Sequence, residues 1–183
     1  MIIGLTGTNA SGKGEIAKIL QRLNYKYFSL SDMIREEAAR RGEEPTRANL
    51  IRIGNEFRIR YGPGVWAKEL VKKLHGNRNL AIDSIRHPDE VKALQKLGNF
   101  ILVAVDANIE KRFQRALKRA NERDPKSASE FEDFKAKEAM ENTSNNNAQQ
   151  LSATMNLAKY KIINEGTLED LEENVMEIVK EIG

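Results

Sequence analysis

Gly7-Thr8-Asn9-Ala10-Ser11-Gly12-Lys13-Gly14 constrains this chain more than any other stretch. Its G-x-x-x-x-G-K spacing follows a short apolar run, Met1 to Thr6, and precedes apolar residues at helical spacing, Ile16, Ile19, Leu20 and Leu23. Strand, glycine-rich loop and helix in that order let backbone N–H groups fold into a nest that points at an anion, with the helix N-terminus adding partial positive charge. Lys13 reaches the β and γ oxygens of a bound polyphosphate, so Gly7 through Glu15 is expected to hold ATP. Gly14 stands where the pattern wants Ser or Thr, so magnesium is expected to be held by water, phosphates and another residue.

The rest of the chain alternates in the same way. Tyr25 to Leu30 reads as a strand, followed by a helix capped at Ser31-Asp32. Helices over Thr46 to Arg60 and Val65 to Leu74 flank a Tyr-Gly-Pro-Gly turn. Leu80 to Asp83 and Phe100 to Asp106 are buried-strand candidates on either side of a helix that stops at Gly98. A basic helix, Ile109 to Ala120, leads into the polar, asparagine-rich stretch from Asn121 to Gln150, which reads as irregular. Tyr160 to Asn164 is the last strand and Leu168 to Ile182 a closing amphipathic helix. Short apolar strands alternating with helices define an α/β chain with a parallel sheet covered on both faces.

At 183 residues with 40% hydrophobic content, the chain suits one domain, 1–183. It has no cysteine, which excludes disulfides, thiolate zinc sites and a cysteine-ligated deaminase centre and fits a reducing, cytoplasmic setting. Thirty basic residues against 27 acidic ones do not demand nucleic acid as a partner, and no apolar run is long enough for a membrane span. A small anionic ligand accounts for the charge, with the protein a monomer or homodimer.

Asp83 ends a strand, where the ligand crevice of such sheets lies, and is the expected magnesium ligand. Arg86 in the following loop and Arg35 after the second strand are two guanidiniums suited to an acceptor phosphate. Arg112, Arg115 and Arg119 share one helix face. Turned to the crevice, they would neutralise charge on a transferred phosphoryl group; turned outward, they would be a solvated face. Trp66, Tyr25 and Tyr27 are expected to pack in the core, and His87 to be structural.

Together, the GTNASGKG loop, Ser31 to Arg35, Asp83-Ser84-Ile85-Arg86 and the Arg112 to Arg119 helix resemble the nucleoside monophosphate kinase and dephospho-CoA kinase branch of P-loop kinases. The strings EEPTRANLIRIGNEFR, YGPGVWAKEL, DSIRHPDEVKAL and ENTSNNNAQQL are similar to archaeal uncharacterised nucleotide kinase-like proteins and to a module fused to some deoxycytidylate deaminases. The resemblance implies a P-loop three-layer sandwich, its five-stranded parallel sheet in order 2-3-1-4-5. Residues 31–75 would be an acceptor-binding insertion and 120–150 a lid. ATP and Mg2+ are the implied cofactors, and a nucleotide-like small molecule the implied acceptor. Arg35 and Arg86, with Arg58 as a further contact, would hold the acceptor. Asp32 would serve an acceptor hydroxyl, and Asn164 and Gly166 would lie against adenine. Three functions stay open on these residues: transfer to a (deoxy)nucleoside monophosphate, transfer to a hydroxyl as in dephospho-CoA kinases, and nucleotide sensing without catalysis.

Overall fold

The computed structural model describes residues 1–74, 79–119, 124–139, 145 and 148–183. Five parallel strands form one sheet: β1 (Ile2–Gly7), β2 (Lys26–Ser29), β3 (Leu80–Asp83), β4 (Phe100–Asp106) and β5 (Tyr160–Ile163). Their order is β2-β3-β1-β4-β5, as the resemblance implied. β1 is buried at every position because its neighbours cover both edges and helices cover both faces.

Side-chain alternation splits the core in two. Ile3, Leu5, Ala81, Val103, Val105 and Ile162 meet helices α1 (Lys13–Arg22) and, from the end of the chain, Leu168–Ile182. Ile2, Leu80, Ile82 and Leu102 face the other way. They pack with α2 (Leu30–Arg40), α3 (Arg47–Tyr61), α4 (Val65–Lys73) and α5 (Pro88–Gln95). Trp66 lies at the heart of this second layer, stacked on Phe57 at 4.6 Å between centroids, with its Nε1 donating to Gly54 O. Tyr25 is buried in the first layer.

Helix ends follow local chemistry, and the differences from expectation lie there. The cap of α2 is Ser29, whose side chain accepts from Ser31 N, rather than Ser31. α5 starts at Pro88, ahead of its first apolar residue Val91, because His87 and Glu90 form a reciprocal capping box around its first turn.

Beyond α6 (Ile109–Arg119), the stretch expected to be irregular contains α7 (Phe131–Ala139), where Phe131 and Phe134 pack edge-on against Phe113. These aromatic contacts give the polar segment a small core of its own. A short helix, α8 (Leu151–Asn156), then precedes β5, and α9 (Leu168–Ile182) closes the chain. Of the expected lid, residues 120–123, 140–144 and 146–147 lie outside the described residues. Among the described residues no helix is long and apolar enough to cross a membrane.

Candidate functional site

The strand register brings the chemistry to one edge. Ser29 pairs with Asp83, and Gly7 with Val105, so the carboxyl ends of β2, β3, β1 and β4 finish side by side. From that edge, Gly7 to Gly12 turns back into α1. Gly7 (φ +136°) and Gly12 (φ +110°) adopt conformations that L side chains rarely reach. A Cβ at Gly7 would overlap the Val105 carbonyl oxygen, and one at Gly12 would overlap the Asn164 side-chain amide. Ala10 also has positive φ, and Ser11 is buried with its Oγ unpartnered. Lys13 Nζ lies across the loop, donating to Gly7 O at 2.8 Å and Thr8 O at 2.6 Å.

Two glycines in backbone conformations that other residues rarely adopt, a lysine folded over the turn and a helix N-terminus behind it fit a polyphosphate. At Gly14 a Cβ would meet nothing within 4 Å. The missing hydroxyl is therefore not imposed by crowding. Glu15 points outward and pairs with Lys18.

Asp83 faces the same edge. Its Oδ1 accepts from Ser84 N at 2.5 Å and its Oδ2 from Tyr27 OH at 3.3 Å. Burial and the Asp83 carboxylate push the Tyr27 phenol up to about 12, so the hydroxyl stays protonated and donates. Expected to be packing alone, Tyr27 is thus also a hydrogen-bond partner of the candidate magnesium ligand. No group of three or more His, Asp or Glu side chains able to hold a metal occurs among the described residues. One carboxylate, with the remaining oxygens left to water and a bound phosphate, is a donor set that would suit magnesium.

All three arginines of α6 reach the loop or its brace. Arg112 is buried; its Nε donates to Ala107 O at 2.7 Å, its Nη1 approaches Asn9 O, and its fork is taken by the Glu138 carboxylate of α7. Arg115 Nη2 donates to Asn164 O at 3.0 Å. Arg119 pairs with Asp124 through Nε at 2.7 Å and touches Asn9 Oδ1. Arg86, in the loop after β3, donates from Nη1 to Gln149 Oε1 at 2.9 Å. Arg35 is at the surface, bound to Asp32 at 2.6 Å within α2.

Asn164, Gly166 and Arg58, expected at adenine and at the acceptor, have the following surroundings. The Asn164 side chain is buried beneath the loop and donates to Ser11 O at 2.8 Å, which makes it a brace for the phosphate-binding turn. Gly166 sits against Asp170, the N3 partner of the N-cap Thr167 in the α9 capping box. Arg58 is in the core, 3% exposed, with its Nη2 on Glu90 Oε1 at 3.1 Å.

Sequence reasoning also missed Asp106, which accepts from Thr8 Oγ1 at 2.6 Å and ties the loop to the end of β4. The strand-end position that singled out Asp83 would have found it. A cavity of about 450 Å³ opens beside this contact, lined by Thr8, Asp106, Arg112, Glu138, Met155 and Lys161. Glu165 anchors the last turn to the start of α6 through Lys111 and Asn108 N, which hold its carboxyl below the usual range.

Sheet order, glycine-lined turn and lysine together define a P-loop protein with a kinase-like fold. Solved structures share it: a shikimate kinase from Aquifex aeolicus matches with a TM-score of 0.54 at 16% identity, over 98% of this chain and 96% of that one. A gluconokinase from Sinorhizobium meliloti matches with a TM-score of 0.57 at 10% identity, over 98% and 91%. In sequence, residues 3–151 match the family model described as AAA domain. A UPF0200 protein from Hyperthermus butylicus is 32% identical over 174 residues, 94% of this chain and 89% of the relative. The chain belongs to the AAA domain family and to the UPF0200 proteins.

Proposed function

We propose that this protein transfers the γ-phosphoryl group of ATP to a (deoxy)nucleoside monophosphate, with 31–75 receiving the acceptor and 120–150 acting as lid. The observation that carries the reading is the loop from Gly7 to Lys13, with Asp83 at the same sheet edge and arginines of α6 on the loop and on Asn164. A cysteine-free chain is suited to the cytoplasm.

When bound, MgATP supplies the transferable group and divalent charge. The chain's own residues do the rest. Loop amides and the α1 N-terminus donate to phosphate oxygens, and Lys13 moves from the Gly7 and Thr8 carbonyls to the β and γ phosphates. Asp83, oriented by Tyr27 and Ser84 N, would hold the hydrated magnesium. Arg35 and Arg86 orient the acceptor phosphate, whose oxygen attacks the γ-phosphorus as ADP leaves. Arg112, Arg115 and Arg119 stabilise charge on the phosphoryl oxygens in transit, Arg112 exchanging the Glu138 carboxylate for them. The test is ADP release coupled to a reporter across ribo- and deoxynucleoside monophosphates. Acceptor-stimulated turnover with at least one supports the reading; basal rates with all of them refute it.

A hydroxyl acceptor is the second reading, favoured by Asp32 at the first turn of α2 and by the fold shared with proteins named for shikimate and gluconate. In that case Asp32→Asn abolishes turnover and leaves ATP affinity intact.

A further inference from the structure

Arg58 and Glu90 form a buried ion pair between the acceptor-side helix α3 and the first turn of α5, at 3% and 1% exposure. Such a pair is costly to bury, and here the Arg58 Nε has no hydrogen-bond partner, so the satisfied half of the pair is the carboxylate. The Glu90 carboxylate is fully engaged. Its Oε1 accepts from Arg58 Nη2 at 3.1 Å, and its Oε2 accepts from Arg86 N at 2.8 Å and His87 N at 3.1 Å. On its other side, the Arg86 peptide accepts from Gln150 N at 2.9 Å. Arg58 is itself fixed from α3, where Nη1 donates to Asn55 Oδ1 at 3.3 Å and a Cβ on Gly54 would press on the same nitrogen at 3.2 Å.

We infer that Arg58 is a positioning residue. It acts through Glu90 to hold the Arg86 backbone at the end of β3, and so sets where the Arg86 guanidinium meets the acceptor. The chain of contacts is continuous: α3, Arg58, Glu90, then the amides of Arg86 and His87. Glu90 is also the reciprocal member of the α5 capping box, so one carboxylate both starts that helix and carries the arginine loop. Without Arg58, the Glu90 carboxylate is left with a buried charge lacking its cationic partner, and it turns away from the two amides. Arg58 thereby makes no contact of its own with the acceptor. The catalytic consequence rests on the kinase reading above; the structural clamp does not.

Amide hydrogen exchange by NMR separates the two. In the full chain, Arg58→Met is expected to speed exchange at Arg86 and His87 by about tenfold or more, the loss of charge-assisted hydrogen bonds. The amides of β1 and β4 stay protected. With AMP as acceptor probe, KM for AMP rises by about tenfold while KM for ATP stays within about twofold. Unchanged exchange at Arg86 and His87 overturns the inference. So does a loss of AMP turnover with both amides still protected, since that pattern marks a direct acceptor contact. If Arg58→Met does not fold alone, Arg58→Met/Glu90→Gln, which leaves no uncompensated buried charge, is compared with Glu90→Gln: faster exchange at the two amides in the double variant supports the clamp and equal exchange overturns it. If AMP gives no turnover even with the unaltered chain, faster exchange at the two amides still supports the clamp, and only the kinase reading fails.

Discussion

Gly12→Ala and Gly14→Ala place the same methyl group two residues apart and are expected to act in opposite directions. At Gly12, φ is +110°, and holding a non-glycine residue there costs about 1 to 3 kcal/mol. The new Cβ also overlaps the Asn164 amide, displacing its hydrogen bond to Ser11 O and leaving a buried polar group unpaired, about 1 to 2 kcal/mol more. Together these lower stability by about 3 kcal/mol. At Gly14 the Cβ enters open space on the first turn of α1, and alanine's helix propensity contributes about 0.5 kcal/mol of added stability. Asn164→Ala supplies the control, because it removes the side chain that the Gly12 methyl would strike. The two changes couple, so the double variant loses about 1 to 2 kcal/mol less than the sum of the singles. Urea unfolding followed by Trp66 fluorescence reads all four variants, Trp66 being the single tryptophan and buried. Additive losses, or a Gly12→Ala variant as stable as the parent, would refute the idea that Asn164 braces the phosphate loop.

The open space at Gly14 also admits a hydroxyl, so Gly14→Thr is expected to fold normally and lower the magnesium concentration giving half-maximal ATP binding; an unchanged or higher requirement in a magnesium titration counts against phosphates at this turn. The raised Tyr27 phenol gives an alkaline signature. Above its ordinary value of 10.0 the unfolded chain loses a proton that the folded chain keeps until about 12, so stability falls across that window. Tyr27→Phe should flatten that part of a pH series of urea midpoints, and an unaltered slope would mean the hydroxyl is not held against Asp83.

The strands and the site's edge were legible because each rests on short-range patterning, whereas the strand order came from the resemblance. Apolar runs ending in Asp83 and Asp106, and the glycine spacing before Lys13, specify themselves within a few residues. What stayed hidden depends on contacts far apart in sequence. Asn164 meets Ser11 across 153 residues, Thr8 meets Asp106 across 98, and Arg58 meets Glu90 across 32. A strand-end asparagine looks the same whether it braces a loop or faces a base. An arginine on a helix looks like a ligand until burial and a carboxylate partner are seen. The order in α7 escaped for a related reason: Phe131 and Phe134 are sparse in a polar stretch, and only their meeting with Phe113 makes a core.

The account stands on polyphosphate held by the loop and by Lys13. Isothermal titration of the full chain with a non-hydrolysable ATP analogue and magnesium tests it most directly, in parallel with Lys13→Ala. Saturable binding that Lys13→Ala weakens by about a hundredfold or more is the predicted result, since a cation at the β and γ phosphates contributes several kcal/mol in a water-poor site. Absence of binding at millimolar analogue, or equal affinity in the two proteins, would contradict it.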